Sequence, residues 1–183
     1  DRSRHSCWTA LPILASTGAS YAGKTLAIEE FGGKSIKFEI WDTAGQEKYR
    51  ALTKIFYKDA QVAILVYDIT RKESFEELKN YWYNQIKQCA SPNIVIGIAG
   101  NKCDLYDNEQ VSEDEARAFA DKIGAVFNLT SAQTNTGMED LFKGVGCKVL
   151  DPNYNIDGGS KKDNNIKLNA KNDDSKKKKK KCC

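Results

Sequence analysis

The chain has 183 residues, of which 40% are hydrophobic and 29% are charged, a composition typical of one globular domain with an ordinary core. Its net charge of +3 combines +5 from residues 151–183, which contain ten Lys and five Asp, with −2 from residues 1–150, which contain 18 basic and 20 acidic side chains. This slightly acidic globular part argues against nucleic-acid binding, which needs clustered Lys and Arg.

The cysteine pattern and the lack of long apolar runs argue against three features: a metal or disulfide framework, a membrane span and a signal peptide. Six cysteines are scattered without a C-x-x-C pair, and His5 is the only histidine, so the pattern favours neither zinc ligation nor a disulfide framework. No run reaches the roughly 20 apolar residues of a membrane span. The faintly signal-like stretch Trp8–Ala15 is short and broken by Pro12, and we expect a protein that is not secreted.

In chain order, the first stretch is ambiguous, because residues 1–15 match no element and Gly18–Thr25 fits the phosphate-loop pattern G-x-x-x-x-G-K-T. A working phosphate loop follows a buried strand and opens a helix. Here Gly32-Gly33 would end such a helix soon after Thr25. The pattern favours a β-hairpin, with one strand from about Lys24 to Glu30 and a returning strand Ser35–Trp41. A true phosphate loop at Gly18–Thr25, in an unusual P-loop enzyme, is the alternative.

The returning strand ends in residues that suit phosphate chemistry. The alternation through Phe38 and Ile40 indicates a half-buried strand that carries Asp42 to its C-terminal end. There Asp42 could hold Mg²⁺ directly or through water, Gly45 could let its backbone N–H approach a phosphate, and Gln46 could orient an attacking water. These are parts of a nucleoside triphosphatase, and an ordinary turn after a strand is the alternative.

The rest of the globular part alternates strands with helices. Capping patterns at Ser74 and Ser112 indicate two helix starts. An apolar stripe follows the first start, formed by Phe75, Leu78, Trp82 and Ile86. The predicted elements are strand Val62–Asp68, a helix from Ser74 to about Cys89, strand Ile94–Gly100, a helix from Ser112 to about Ile123, strand Ala125–Leu129 and a helix from about Gly137 to Leu150.

This alternation predicts an α/β fold with a mostly parallel sheet and helices on both faces. Each polar motif follows a predicted strand, since Asp42 ends the first, Asn101-Lys102-Cys103-Asp104 follows a second and Ser131-Ala132 follows a third. Ligands of such sheets bind at the C-terminal ends of the strands. The motifs are therefore expected to form one site.

With these three motifs in this order, the chain resembles the small GTPases of the Ras superfamily over about Ser16 to Leu150. The segments Phe38–Glu47 and Val66–Thr70 and the terminal Cys-Cys resemble the Rab branch. Ser91–Ile96, with Gly18–Tyr21, looks most like its early-endosomal subfamily. The resemblance implies a P-loop NTPase-like fold and a GTP-binding, GTP-hydrolysing switch in vesicle trafficking, with GTP or GDP and Mg²⁺ as its cofactors.

The resemblance implies a role for each residue that would contact the guanine base. Asp104 takes the N1–H and the N2 amino group through both carboxylate oxygens, a donor pair that adenine does not offer. Asn101 and Lys102 support the base and pack over it, while the backbone of Ser131 and Ala132 reads the guanine oxygen.

The implied phosphate-side residues come from an earlier part of the chain. Gln46 is the catalytic residue that positions the hydrolytic water, and Gly45 senses the γ-phosphate. Asp42 holds Mg²⁺, with Ser16 as a second metal ligand where the family has a Thr.

The family reads effectors with exposed aromatic residues, and the matching positions are Tyr21, Trp41 and Phe56. Trp41 lies on the opposite face of its strand from Ile40, so we expect an exposed ring, with a Trp buried under a helix as the alternative. The other implied partners are an exchange factor, a GTPase-activating protein and a prenyl-chain chaperone. The protein itself is expected to be a monomer.

Residues 151–183 contain almost no apolar side chains, which predicts a disordered polybasic tail. Lys176–Lys181, followed by Cys182 and Cys183, predict prenylation of the cysteines and attraction to an anionic membrane, at about 1 kcal/mol per Lys. This would place the domain on the cytosolic face of membranes, with endosomes expected from the resemblance. A solvated charge run or a nuclear-type basic patch is the alternative.

The start of the chain departs from the family pattern. The family begins with a strand, a phosphate loop and a helix, whereas residues 1–15 do not match this unit of roughly 30 residues or more. The unit is thus missing or replaced. Two interpretations stay open: a Rab GTPase whose sequence has lost its beginning, and a short form that does not cycle nucleotide and acts as a membrane-tethered binding module.

Overall fold

The computed structural model describes residues 7–10, 20–43, 57 and 59–154, and six strands in these ranges form one sheet. The strand order across the sheet is β2-β3-β1-β4-β5-β6. The strands are β1 (Cys7–Ala10), β2 (Ser20–Ile28), β3 (Lys34–Thr43), β4 (Val62–Asp68), β5 (Val95–Asn101) and β6 (Val126–Leu129).

Four of the six strands run in the same direction. β4 pairs parallel with β5, and β5 pairs parallel with β6. β3 shares their direction, because β1 lies between β3 and β4 and is antiparallel to both. The predicted α/β fold with a mostly parallel sheet is confirmed, and its parallel ladders lie in the half formed by β4, β5 and β6.

The central strand of the sheet comes from the stretch that matched no element in the sequence. Cys7 pairs with Thr43 of β3 and with Leu65 of β4, so β1 begins near the C-terminal ends of its neighbours. Ala10, opposite Ile40, lies toward the other edge. An extended segment can satisfy the backbone groups of β3 and β4 in either direction, because parallel and antiparallel ladders both pair N–H with C=O. The expectation of no element in residues 1–15 is therefore wrong for these four.

The predicted β-hairpin is confirmed, although it starts earlier than expected. β2 and β3 are antiparallel from Ser20↔Asp42 to Ile28↔Lys34, and a single 3₁₀ turn, Glu29–Phe31, leads into the connection. The end of the phosphate-loop pattern therefore lies on a strand, with Lys24 opposite Phe38 in mid-strand. Only the single 3₁₀ turn and no α-helix lies between this strand and β3, so the alternative of a phosphate loop at Gly18–Thr25 is wrong.

Two sets of helices cover the sheet. On one side, α1 (Lys72–Glu77), a π-helical segment (Leu78–Trp82) and α2 (Tyr83–Cys89) follow one another directly, and α3 (Glu113–Ile123) lies on the same core. On the other side lies α4 (Met138–Leu150). None of the described helices combines the length and apolar character that a bilayer crossing requires.

The two predicted capping boxes have different outcomes. Ser112 caps α3, and its Oγ accepts the Glu115 N–H at 3.2 Å, as predicted. Ser74 is not a cap, because α1 already begins at Lys72. Its buried hydroxyl instead accepts the Asp68 N–H at 3.0 Å and donates to the Arg71 carbonyl at 2.7 Å. Ser74 therefore ties the first helical turn to the end of β4.

The strands bury a different set of side chains on each face. Ala63, Leu65 and Tyr67 of β4 pack toward the α1–α3 side, whereas Val62 and Ile64 pack toward α4. This agrees with the near-continuous run of apolar residues expected of a strand whose two faces are both covered by helices. The predicted stripe on the first helix is confirmed, since all of its members are buried: Phe75, Leu78, Trp82 and Ile86.

Candidate functional site

The polar motifs lie together at one edge of the sheet. β3 ends just after Asp42, β4 ends at Asp68 and β5 ends at Asn101, which pairs in register with Asp68. Thr130 and Ser131 follow β6 at the same edge, where the Thr130 N–H donates to the Gly100 carbonyl at 2.8 Å. The expected common location of the motifs is confirmed for the described residues.

Asn101 connects the two loops that would hold a base. Its Oδ1 accepts the Ala132 N–H at 3.3 Å and lies 3.5 Å from the Thr130 hydroxyl. The backbone makes a second connection, because the Cys103 N–H donates to the Thr130 carbonyl at 3.0 Å. The amide is therefore a structural clamp between the loops, and it shares that role with the main chain.

Asp104 is held by a buried serine. The Ser131 hydroxyl donates to Asp104 Oδ1 at 2.5 Å and accepts the Thr134 N–H at 3.1 Å, while the Ser131 residue is fully buried. Asp104 itself is exposed. A carboxylate has lone pairs for about four hydrogen bonds, so the contact with Ser131 leaves room for two N–H donors of a ligand.

The two backbone amides expected to read the guanine oxygen are not equivalent. The Ser131 N–H donates to the Thr136 carbonyl at 3.0 Å in a small antiparallel bridge. The Ala132 N–H donates to Asn101 Oδ1 at the longer distance of 3.3 Å and belongs to an exposed residue. The geometry therefore favours Ala132 over Ser131 as the donor to a carbonyl oxygen, and the Ser131 side chain serves Asp104 instead.

Lys102 has an acidic partner that the sequence motifs did not identify. Its backbone has φ 66° and ψ 34°, a left-handed conformation that costs roughly 1 kcal/mol or more in a non-glycine residue. Its Nζ lies 2.6 Å from Asp68 Oδ2. Asp68 also ends a buried strand at the same edge, and this shared position with Asp42 was a signal in the sequence that could have found it.

The Asp68 carboxylate is fixed on its other oxygen as well. Oδ1 accepts both the N–H and the hydroxyl of Thr70, at 2.9 and 2.7 Å. Burial by itself raises the pKa of Asp68, but the hydrogen bonds from Lys102 and Thr70 and the Lys102 charge outweigh it, so the pKa lies below its usual range. Asp68 is therefore a charged anchor at neutral pH.

Gly137 allows the loop after β6 to close, which the sequence motifs also did not identify. It caps the start of α4 with φ 72°, and a Cβ added there would lie 1.9 Å from the Leu129 carbonyl oxygen. The Asn128 side chain donates to the Gly137 carbonyl at 2.9 Å. Only glycine fits this position, because both the space and the backbone conformation exclude a side chain.

The three predicted effector residues have separate outcomes. Tyr21 is 49% exposed, as an effector contact requires. Trp41 is only 4% exposed, so the expectation of an exposed ring is wrong. Its face of the strand is covered, because Trp41 forms a small core with Ala60 and Ile94, and the Tyr21 ring lies 5.3 Å away. Phe56 lies outside the described residues.

On the phosphate side, the described residues supply one candidate metal ligand. Asp42 is half-buried at the end of β3. Among the described residues, no group of three or more His, Cys, Asp or Glu is placed to hold a metal ion. Mg²⁺ in nucleotide sites is usually held by one or two carboxylates together with phosphates and water, so a single Asp42 suits it. The remaining predicted residues lie outside the described ranges: Ser16, Gly45, Gln46, Cys182 and Cys183.

The amino-acid sequence matches the Ras family over residues 15–151. It is 42% identical over 149 residues to Ras-related protein Rab-22A of Homo sapiens, which covers 81% of this chain and 75% of that protein. It is 41% identical over 160 residues to Ras-related protein Rab-31 of Rattus norvegicus, with 86% of this chain and 80% of that protein covered. The matched range agrees with the one over which the sequence motifs resemble small GTPases.

Proposed function

Because the chain belongs to the Rab branch of the Ras family of small GTPases, we propose that it binds GTP and GDP and acts as a GTP-hydrolysing switch in vesicle trafficking. The observation that supports this best is the assembled base side of the site. There, Asp104 is oriented by the buried Ser131, and Asn101 holds both base-contacting loops together.

The base side favours guanine for a chemical reason. The Asp104 carboxylate is an acceptor pair for the N1–H and N2 amino group of guanine, and the Ala132 N–H is the donor for its carbonyl oxygen. Adenine has an acceptor at N1 and an amino donor at the position where guanine has its carbonyl oxygen. The contacts with the Asp104 carboxylate and with the Ala132 N–H would therefore both be lost. Sites that hydrogen-bond a ligand reject analogues that leave buried polar groups unpaired, often by 10⁴-fold or more.

The proposed hydrolysis uses residues at the other side of the same edge. Asp42 would hold Mg²⁺, which neutralises charge on the β- and γ-phosphates when bound. Gln46 would orient the attacking water. Gly45 would sense the γ-phosphate through its backbone N–H. Intrinsic hydrolysis in this class is slow, and an arginine from a GTPase-activating protein accelerates it by roughly 10³ to 10⁵.

We further propose that the tail attaches the domain to membranes. Prenylation of Cys182 and Cys183 would supply the lipid chains, and Lys176–Lys181 would be attracted to anionic lipids. An exchange factor, effectors and a prenyl-chain chaperone complete the proposed set of partners, with an endosomal membrane as the site of action. Of the residues predicted to contact an effector, Tyr21 is the one that the structure describes as exposed, at 49%.

Single-turnover hydrolysis of radiolabelled GTP by the purified full chain tests the switch. We expect slow phosphate release that depends on Mg²⁺ and that falls at least tenfold in Gln46→Leu, because the water loses its orienting amide. The matched control is Gln61→Leu, a glutamine next to β4 at the opposite edge, which should leave the rate unchanged. Equal rates in all three proteins would contradict the assignment of Gln46.

A second candidate function is supported by the direction of β1. A phosphate loop that follows a central strand must leave it at the edge of the base site, but Ala10 at the end of β1 lies toward the other edge. This favours a membrane-tethered binding module that recognises the base and gains little from phosphates. The affinities for guanosine, GDP and GTP separate the two: a switch should bind GDP and GTP far more tightly than guanosine, and a module should bind all three alike.

A further inference from the structure

The ion pair between Asp68 and Lys102 joins a strand end to the residue that would cover the base. The two charged atoms lie 2.6 Å apart, the length of a short charge-assisted hydrogen bond. The Asp68 side chain is 13% exposed and the Lys102 side chain is 48% exposed. The acid is therefore the fixed partner and the lysine the one that reaches toward it from the loop.

Asp68 is held more firmly than an ordinary surface carboxylate. Thr70 donates two hydrogen bonds to Oδ1, and the backbone of Asp68 is tied to Ser74 and Arg71 at the start of α1. In addition, Asp68 and Asn101 are register partners on neighbouring parallel strands. The carboxylate is thus placed relative to the loop that begins with Asn101-Lys102 before any ligand arrives.

A lysine side chain loses up to about 2 kcal/mol of rotamer freedom when it is ordered. If its ammonium group is already held, much of this cost is met in the folded protein and does not oppose ligand binding. The aliphatic stem of Lys102 is then available to pack over a flat base. The Lys79–Glu76 ion pair, by contrast, joins two residues on the α1 side of the sheet that do not belong to the site.

We infer that Asp68 is a positioning residue for guanine binding, which acts by holding Lys102 in its base-covering orientation. This inference rests on the proposed function, since it requires that the chain binds guanine nucleotides. Asp68 itself would not touch the base. Its effect on affinity should therefore disappear when the Lys102 ammonium group is absent.

A double-mutant cycle on GDP affinity, measured by calorimetry with the full chain, tests the inference. Asp68→Asn keeps an acceptor for Thr70 and removes the charge, and Lys102→Met keeps most of the stem and removes the ammonium group. We expect Asp68→Asn to weaken GDP binding about fivefold in the natural background and by less than about 1.5-fold in the Lys102→Met background. Glu76→Gln, which breaks the Lys79 pair away from the site, should not change the affinity.

The possible results separate the inference from the proposed function. A natural chain that binds no guanine nucleotide would refute the proposed function, and the inference with it. Binding that weakens equally in both backgrounds, or not at all, would refute the inference alone, because a purely structural role does not depend on Lys102. If Asp68→Asn fails to fold, Thr70→Val removes one bond from the same carboxylate, and a loss confined to the natural background would support the inference.

Discussion

At the scale of single residues, the candidate site depends on contacts between side chains that are far apart in the chain. Asn101, Lys102, Asp104 and Ser131 all lie at the expected edge. However, the Ser131 hydroxyl serves Asp104, and Lys102 pairs with Asp68, which lies 34 positions away in the chain. Such pairs could not be predicted from spacing, because they depend on which strands become neighbours.

Ser131→Ala tests the support of Asp104 by the buried hydroxyl. The variant removes the 2.5 Å bond to Oδ1 and leaves the Thr134 N–H without its acceptor, so we expect GDP affinity to fall by about tenfold. Ser91→Ala, a serine before β5 that accepts a hydrogen bond from the Asn93 N–H, is the control. Calorimetric titration measures the GDP affinity of both variants. An unchanged affinity in Ser131→Ala would contradict the support of Asp104 by Ser131.

The lowered pKa of Asp68 predicts a pH dependence of stability. A carboxyl whose pKa is lower in the folded protein stabilises it above its unfolded pKa, and this contribution is lost as the pH falls through the folded value. Asp68→Asn should therefore be less stable than the natural chain at pH 7, and the difference should shrink below about pH 4. Urea unfolding at several pH values measures it, with the exposed Asp59→Asn as control. A difference that does not vary with pH would contradict the ion pair.

At the scale of elements, the predictions succeeded where a local signal was strong. The β2–β3 hairpin followed from alternation around Gly32-Gly33, and α3 followed from its capping box. The prediction that Ser74 caps a helix was wrong because its hydroxyl instead accepts the Asp68 N–H at the end of β4, which only the tertiary structure brings close. β1 was not predicted, because its four residues carry no pattern that distinguishes a central strand from an irregular segment.

Two glycines at helix ends provide a matched pair for stability measurements. Both have a left-handed backbone, with φ 72° at Gly137 and φ 69° at Gly124. A Cβ at Gly137 meets the Leu129 carbonyl oxygen, whereas one at Gly124 meets nothing within 4 Å. We expect Gly137→Ala to lower the free energy of unfolding by about 3 kcal/mol or more and Gly124→Ala by about 1 kcal/mol. Equal losses in urea unfolding would contradict the close approach.

At the scale of the whole molecule, the sheet brings together the residues proposed to bind the base, and its central strand β1 is antiparallel to both of its neighbours. Four strands end at one edge and carry Asp42, Asp68, Asn101 and the loop before Ser131. β1 runs the other way between β3 and β4, and this could not be predicted, since the direction of a short strand is set by its connections and its neighbours. The residues proposed to bind the base therefore lie at one edge of the sheet, and β1 runs from this edge toward the opposite one.

The central claim is that the chain recognises guanine nucleotides through Asp104 and its neighbours. The most direct measurement is the nucleotide that remains bound to the purified full chain, released by heat and identified by chromatography. The natural chain should carry GDP or GTP, and Asp104→Ala, which removes the carboxylate proposed to read the base, should carry neither. A natural chain that is empty, or one that carries adenine nucleotides, would contradict the claim.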